Sequence, residues 1–364
     1  MFRPPVAAGI GILCVGDVMY DVYEVVVRDG HRVSRELPHG PGAGRWREVE
    51  GRRIELPGGV ATLARCVSGL GFPVECHFAL GSEEAPGQAA RFLAGLDAMG
   101  VSVHPVTESR PMARKRRTLL LQGDTQQELW SVERGSESAI RPEVEARLLA
   151  GIQESPRANV FVVADFGRGG MPPSLVRAVG REAERRGALL IADFHPQPLE
   201  WLKEYCVYST LLKLNSAEAA YALGLESGGF PSDEDMHAAG VILEQELATN
   251  VLITADRGGA WLYSSDRDPE HFPALNQDPV CVVGAGDSLV ATAAVWLSMG
   301  ASLQEAILAG TKAAAITVGK PGTGVAQRSD LAGELEVLFR RSTHRPHHHA
   351  AGSSPTAPAP VYAP

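Results

Sequence analysis

Three short stretches of this chain place small or acidic residues where phosphate and hydroxyl chemistry could occur. The first is Val283-Gly284-Ala285-Gly286-Asp287, which stands directly before an apolar helical run. Gly284, Ala285 and Gly286 carry almost no side chain, so the backbone can approach a ligand closely. The free N–H groups of a helix's first turn, with its dipole, attract a phosphate-like charge. Asp287 is awkward beside such an anion unless it has a task of its own. Accepting the proton of an attacking hydroxyl, while the amides hold a transferred phosphoryl group, is such a task. The plainer alternative makes Asp287 the N-cap of its helix, where Asp is favoured. The second stretch, Pro57-Gly58-Gly59, leads into a helix of small residues. Paired glycines would let a sugar lie against the backbone, although a simple loop-to-helix turn has the same composition. The third, Gly16-Asp17-Val18-Met19-Tyr20-Asp21, follows an apolar run. A carboxylate there can accept hydrogen bonds from sugar hydroxyls, with an Asx turn as the alternative.

The elements that must position these stretches alternate between strand and helix. Short apolar runs at 10–15, 74–80, 160–164, 189–193, 251–254 and 261–264 read as strands. Helical stretches read at 59–70, 85–99, 173–186, 288–299, 303–318 and 329–340, with a helix start at 218–223. That alternation predicts an α/β fold with a parallel sheet covered on both faces. Ligands in such sheets sit at the carboxyl ends of the strands. Two blocks, 22–56 and 114–133, read instead as exposed antiparallel strands that could form one small sheet. Residues 341–364, rich in Pro, Ala, Ser and His, read as a disordered tail. His347, His348 and His349 could hold a metal there, against the plainer reading of a solvated tail.

Composition narrows the classes. The formal charge is -9, from 43 acidic against 34 basic residues, which argues against a nucleic-acid binder. A small anionic ligand needs only a local positive pocket. Five cysteines without CxxC spacing suggest neither a zinc site nor a disulfide framework, and point to reduced thiols in the cytoplasm. The first residues do not read as a signal peptide, and no apolar run reaches the ~18 residues of a membrane span.

Taken together, in this order and spacing, the three stretches resemble the ribokinase-like (PfkB-type) carbohydrate kinases over residues 10–340. Asn215-Ser216-Ala217-Glu218 is similar to the family's NxxE motif, and residues 254–259 stand where the family has a Gly-rich nucleotide segment. Within the family the chain looks most like the D-glycero-β-D-manno-heptose 7-phosphate kinases. The stretches GDVMYDVY near the start, Val33-Ser34-Arg35, Asp165-Phe166-Gly167-Arg168-Gly169 and residues 318–323 carry that likeness. The resemblance implies a three-layer α/β/α sandwich over residues 1–340, with a β-sheet lid over the sugar that also makes a homodimer surface. It implies a kinase that uses ATP and Mg²⁺ on a small-molecule sugar or sugar phosphate. Asp287 would be the catalytic base, with the backbone amides of Ala285 and Gly286 forming the anion hole and Gly284 belonging to the same catalytic stretch. Asp21, Gly58, Gly59 and Thr62 would face the sugar, and Arg168 would hold a phosphate where relatives carry Lys. Asn215 and Glu218 would act on Mg²⁺ through water, and Thr254, Gly259 and Lys320 would lie towards the nucleotide. The adenylyltransferase half of bifunctional relatives has no counterpart before the chain ends.

Departures from the pattern cluster on the sugar side. Thr62 stands where the family has Asn, and loses a donor–acceptor amide. Cys281 stands where the family has Asp and is a poor ligand for potassium, which argues against potassium activation. Asp193-Phe194-His195 is similar to the heptose kinases' DPK without its Pro and Lys. Arg114-Lys115-Arg116-Arg117 could meet a sugar phosphate, or be a solvated charge run on an edge strand. Three readings therefore stand: a heptose 7-phosphate kinase, a kinase of an unphosphorylated sugar, cyclitol or nucleoside, and a degenerate sugar- or nucleotide-binding regulatory protein.

Overall fold

The computed structural model describes residues 11–28, 35–37, 44–82, 87–122, 125–135, 137–155, 158–225, 230, 232–320 and 324–343. Of the predicted tail, residues 341–343 belong instead to the last helix, which ends at Thr343, and the remainder with its histidines lies outside the described residues. The strands are β1 (Ile12–Gly16), β2 (Val18–Arg28), β3 (Arg35–Leu37), β4 (Gly44–Gly59), β5 (Val74–Ser82), β6 (Ser102–Pro111), β7 (Ala113–Gln122), β8 (Thr125–Arg134), β9 (Val160–Asp165), β10 (Leu189–Phe194), β11 (Leu211–Asn215), β12 (Asn250–Thr254), β13 (Ala260–Ser264) and β14 (Arg267–Phe272). The helices are α1 (Val60–Gly69), α2 (Gln88–Asp97), α3 (Pro142–Glu154), α4 (Pro173–Arg186), α5 (Leu199–Tyr205), α6 (Ser216–Ala222), α7 (Asp233–Leu247), α8 (Ala285–Ser298), α9 (Leu303–Val318) and α10 (Ala332–Thr343).

Nine strands form one sheet in the order β14-β13-β12-β11-β10-β9-β1-β5-β6. All pairs from β12 to β6 are parallel, and β13 and β14 add an antiparallel edge. Strand alternation divides the core into two layers. Ile12, Cys14, Val160 and Val162 face the helices α1, α2, α8, α9 and α10, while Leu13, Val15, Phe161 and Val163 face α3 to α7. This is the predicted three-layer α/β/α sandwich. The order reverses between β1 and β9, so a crevice opens beyond the carboxyl ends of those two strands.

Local chemistry explains several helix ends. Ser302 and Glu305 close a reciprocal capping box at the start of α9, with bonds of 3.2 and 3.0 Å. Helix α4 begins with Pro173 and ends at Gly187, whose φ of +64° an L side chain would resist. Helix α8 packs along α9 so closely that a Cβ on Gly310 would stand 2.7 Å from the carbonyl oxygen of Leu289. No helix among the described residues is long and apolar enough to cross a membrane.

The second sheet has the order β3-β4-β2-β7-β8. Two expectations need correction here. The sheet is mixed rather than antiparallel, because β2 and β7 run parallel. Its central strand β2 is also not exposed, since Asp21, Val22, Tyr23 and Glu24 are all buried, whereas Arg53, Ile54 and Glu55 of β4 are exposed as expected. The basic run 114–117 lies on β7, an interior strand between β2 and β8, so it does not guard a sheet edge.

The inner face of α7 offers a probe of packing remote from the crevice. A Cβ on Gly240 would stand 2.1 Å from the ring of Tyr263. Gly240→Ala should therefore lower stability by about 1–3 kcal/mol in chemical denaturation, because the buried ring has nowhere to retreat.

Candidate active site

The crevice is a cleft of about 590 Å³ floored by the carboxyl ends of the parallel strands. Five of these strands carry a polar residue at or beside that end. Asp17 follows β1, Asp165 ends β9, Asp193 stands one residue before the end of β10, and Asn215 and Thr254 end β11 and β12. The α8 start contributes Val283, Gly286 and Asp287, α1 contributes Thr62, and Gly59 joins β4 to α1. The small sheet closes one side with Met19, Asp21, Lys115, Arg117 and Glu133.

Helix α8 begins at Ala285, with Gly284 as N-cap at φ +86°. Asp287 is the third helical residue, which corrects the N-cap alternative. The N–H groups of Gly286 and Asp287 belong to the first turn, where helix geometry supplies no carbonyl partner of its own, and the Ala285 N–H makes a long bond of 3.4 Å to the Val282 carbonyl. The Asp287 carboxyl is pushed up to about 7 by its burial, and further by the charges of Asp193 and Asp21. Lys213 and Arg117 partly offset that push.

Lys213 is the cation of the floor. It sits on β11 directly opposite Asp193 on β10, with Nζ 3.1 Å from Asp193 Oδ1. Burial alone would push its ammonium down, but Asp193, Glu218 and Asp287 outweigh burial and hold it above the ordinary lysine value. A Cβ on Gly286 would stand 3.4 Å from Lys213 Nζ, so the ammonium borders the α8 start.

The NxxE stretch forms a capping box. Asn215 Oδ1 accepts from the Glu218 amide at 2.8 Å, and Glu218 Oε2 accepts from the Asn215 amide at 2.6 Å. Glu218 lines the cleft, and burial raises its carboxyl, with Lys213 opposing. Asn215 is spent on the cap and does not line the cleft.

The first-strand aspartates divide their work. Asp17 accepts the backbone N–H groups of Phe166, Arg168 and Gly170 at 3.0, 2.9 and 2.7 Å, which pins the 165–170 loop to β1. Asp21 Oδ1 accepts from Arg117 Nη1 at 2.5 Å. Neither arrangement is an Asx turn. Gly58 does not line the cleft, contrary to expectation: a Cβ there would stand 2.2 Å from Asp21 Oδ2, so Gly58 makes room for that carboxylate. Gly59 holds φ at +67°, with the Asp17 carbonyl 2.3 Å from a would-be Cβ.

Arg168 lines the cleft and pairs with Glu133 and, at 3.1 Å, with Glu137. Lys115 pairs with Glu133 at 2.5 Å. The three residues expected towards a nucleotide lie outside this cleft. Lys320 donates to the Val325 carbonyl and to Asp330 at 3.0 and 2.7 Å. Gly259 has φ +82° and lies against the Phe272 carbonyl. Thr254 Oγ1 is 3.5 Å from the Leu214 carbonyl.

Sequence reasoning gave no role to Asp193, Asp165, His195 or Lys213, all of which line the cleft. Asp165 and Asp193 carry the same signal as Asp17, an acid at the end of an apolar run. Lys213 had a signal too: a lone charge inside the apolar strand Leu-Leu-Lys-Leu-Asn needs a buried partner. His195 Nδ1 lies 3.1 Å from Asp165 Oδ2, and that hydrogen bond raises the imidazole above its usual value.

Comparison with known proteins covers nearly the whole chain. Residues 10–329 match the family model described as pfkB family carbohydrate kinase. The bifunctional protein HldE of Azorhizobium caulinodans is 29% identical over 326 residues, 89% of this chain and 64% of that protein. HldE of Caulobacter vibrioides is 30% identical over 359 residues, 94% of this chain and 69% of its own. The chain thus spans only about two thirds of the length of these relatives. The fold is similar to that of phosphofructokinase-2 from Escherichia coli, at TM-score 0.69 and 18% identity, covering 92% of this chain and 100% of that one. It is also similar to Arabidopsis thaliana ribokinase, at TM-score 0.64 and 20% identity, covering 91% and 99%.

The elevated Asp287 carboxyl has a consequence for stability. The folded chain binds this proton more tightly than the unfolded chain, whose Asp titrates near 3.8. Its contribution is therefore fully present below about pH 3.8 and is lost as pH rises from there through about 7. Asp287→Asn removes that loss. Thermal denaturation should give the variant a Tm about 2–4 °C above the parent at pH 8, converging near pH 4.

Proposed function

As the chain belongs to the pfkB family of carbohydrate kinases, we propose that it transfers the γ-phosphoryl group of ATP to a hydroxyl of a heptose 7-phosphate or a related sugar phosphate, giving a bisphosphate such as the 1,7-bisphosphate. The observation that carries this reading is the α8 start, where Asp287 faces the cleft beside the first-turn amides and Lys213. The heptose assignment draws on the HldE relatives and on the sequence stretches shared with heptose kinases.

In this reading the acceptor hydroxyl lies against Asp287. Its oxygen attacks the γ-phosphorus, the bond from that phosphorus to the ADP oxygen breaks, and the hydroxyl proton passes to the Asp287 carboxylate. The amides of Ala285 and Gly286 steady the transferred group, with Gly284 holding the turn. Asp21, Gly59 and Thr62 bind sugar hydroxyls. The small sheet acts as a lid, because water in the cleft would compete for the phosphoryl group. The same sheet is proposed as a homodimer surface, in a protein working in the cytoplasm.

The floor also fits a divalent metal. Glu218, Asp193 and Asp287 are hard oxygen donors of the kind Mg²⁺ takes, and Lys213 already holds positive charge among them. Glu218 would hold Mg²⁺ through water, with Asn215 ordering Glu218 by the cap they share. A bound Mg²⁺ neutralises charge on the nucleotide phosphates. Thr254, Gly259 and Lys320 would act on the nucleotide side by shaping the backbone around it.

A second reading has its own support. The cleft cations nearest the small sheet are already matched with acids: Arg168 with Glu133 and Glu137, Lys115 with Glu133, Arg117 with Asp21. An acceptor phosphate must displace such a carboxylate, whereas an unphosphorylated sugar or cyclitol need not.

A kinase assay with heptose 7-phosphate, other sugar phosphates and their phosphate-free counterparts separates the two. The first reading predicts turnover confined to phosphorylated acceptors, and Arg168→Ala should raise KM more than it lowers kcat. Turnover of phosphate-free acceptors alone overturns the phosphate assignment, and turnover of none favours a binding protein. With the working acceptor, Asp287→Asn should lower kcat by about 10²–10⁴. The kcat/KM of the parent should fall as pH drops below about 7, where Asp287 takes up its proton.

A further inference from the structure

The described residues hold a second group of metal-ligating side chains, at the end of the large sheet opposite the cleft. Glu75 and His77 stand near the start of β5, and His104 near the start of β6. The two strands run parallel, with Glu75 opposite Ser102 and His77 opposite His104. A period of two therefore puts all three side chains on one face. Glu75 Oε2 lies 3.3 Å from His77 Nε2 and 3.7 Å from His104 Nε2, and one ligand atom from each residue lies within 4.8 Å of the others.

The His77 imidazole is buried, and its surroundings hold further polar groups. The Ser155 hydroxyl donates to Glu75 Oε2, and Ser102 Oγ is 3.1 Å from His104 Nε2. Arg186 is the neighbouring cation, but Glu182 at 2.6 Å and the carbonyl of Ile152 engage it. The imidazoles of His77 and His104 stack at 4.4 Å with 7° between planes. Two ligating rings must aim at one ion, so one has to turn. His104, 41% exposed, has room to do so.

We propose that Glu75, His77 and His104 bind one borderline divalent transition-metal ion of the zinc class, fastening the edge strand β6 to β5. Such ions take ligands at about 2.0–2.2 Å, which sets ligand atoms roughly 3.3–3.5 Å apart. The Glu75–His77 spacing meets this, and turning His104 closes the rest. Two imidazoles and one carboxylate leave a fourth position for water, and the softness of imidazole excludes Mg²⁺ and Ca²⁺ as natural occupants. Strand β6 leads through Met112 into β7 of the small sheet, so the ion would anchor the root of a strand that reaches the cleft.

The test is a Zn²⁺ titration of the full chain against a chromophoric chelator, without nucleotide, in the parent, His104→Ala and Glu75→Gln. His104 is exposed and Glu75 half-buried, and circular dichroism without metal checks that both variants fold. The parent should bind one equivalent more than either variant, or bind that equivalent at least about tenfold more tightly. Zn²⁺ should raise the Tm of the parent and not that of the variants. Co²⁺ should give a tetrahedral visible band in the parent that His104→Ala loses. Equal stoichiometry and affinity in all three proteins, or no stoichiometric binding by the parent, overturns the site.

Discussion

One ammonium group decides whether the floor of this cleft can exist. Lys213 Nζ sits 3.1 Å from Asp193 and shares its field with Glu218 and Asp287. Removing one partner of a buried ion pair costs about 3–5 kcal/mol, because the other charge is left stranded. The pairing is not an accident of side-chain conformation. Asp193 and Lys213 are register partners on adjacent parallel strands, so the sheet's own hydrogen bonds hold them together. The acidic floor is thus a property of the β10–β11 ladder, and Asp287 is added to it from a helix that enters from another layer.

The small sheet meets that floor with charge of its own. Along β7, Lys115 and Arg117 line the cleft, while Arg116, between them, pairs with Glu24 on the other face. This is the period of two that any strand imposes. Asp21, Glu133 and Glu137 then balance the inward cations. The result is a cleft with both signs closely interleaved, which explains how a chain of net charge -9 can present positive groups to an anionic ligand. It also sets a tension: the acid best placed for chemistry, Asp287, is held above its ordinary pKa by the same burial that shields the site.

Much of the architecture was legible in the sequence. Strand β9, Val-Phe-Val-Val-Ala-Asp, is entirely buried, and its unbroken apolar run could only be a central strand. Helices α4 and α9 announce their ends with Pro173, Gly187 and the Ser302–Glu305 box. Elements that mix signals were missed. Strand β11 carries Lys213 in its middle, β6 contains Pro105 and several polar residues, and α7 opens on three acids whose role as a charged first turn is visible only once the helix is known. The interior place of β7 was also hidden, because no local pattern says that a strand 95 residues later will lie parallel to β2.

The sequence by itself determined the local grammar of this protein: glycines where the backbone must turn sharply before α1 and α8, acids at the ends of apolar strands, and an NxxE stretch that caps its own helix. Those features depend on neighbours within a few residues, and steric and hydrogen-bonding rules act at that range. The tertiary structure alone decided which of them meet. It brought Arg117 to Asp21 across 96 residues, set Lys213 against Asp193, kept Gly58 back to make room for Asp21, and placed Lys320 on Asp330 outside the cleft. It also assembled Glu75, His77 and His104 from two strands whose sequences give no hint of each other. The physical reason is that burial and Coulomb energy depend on distance through space, and a chain's order does not encode that distance until the sheet has formed.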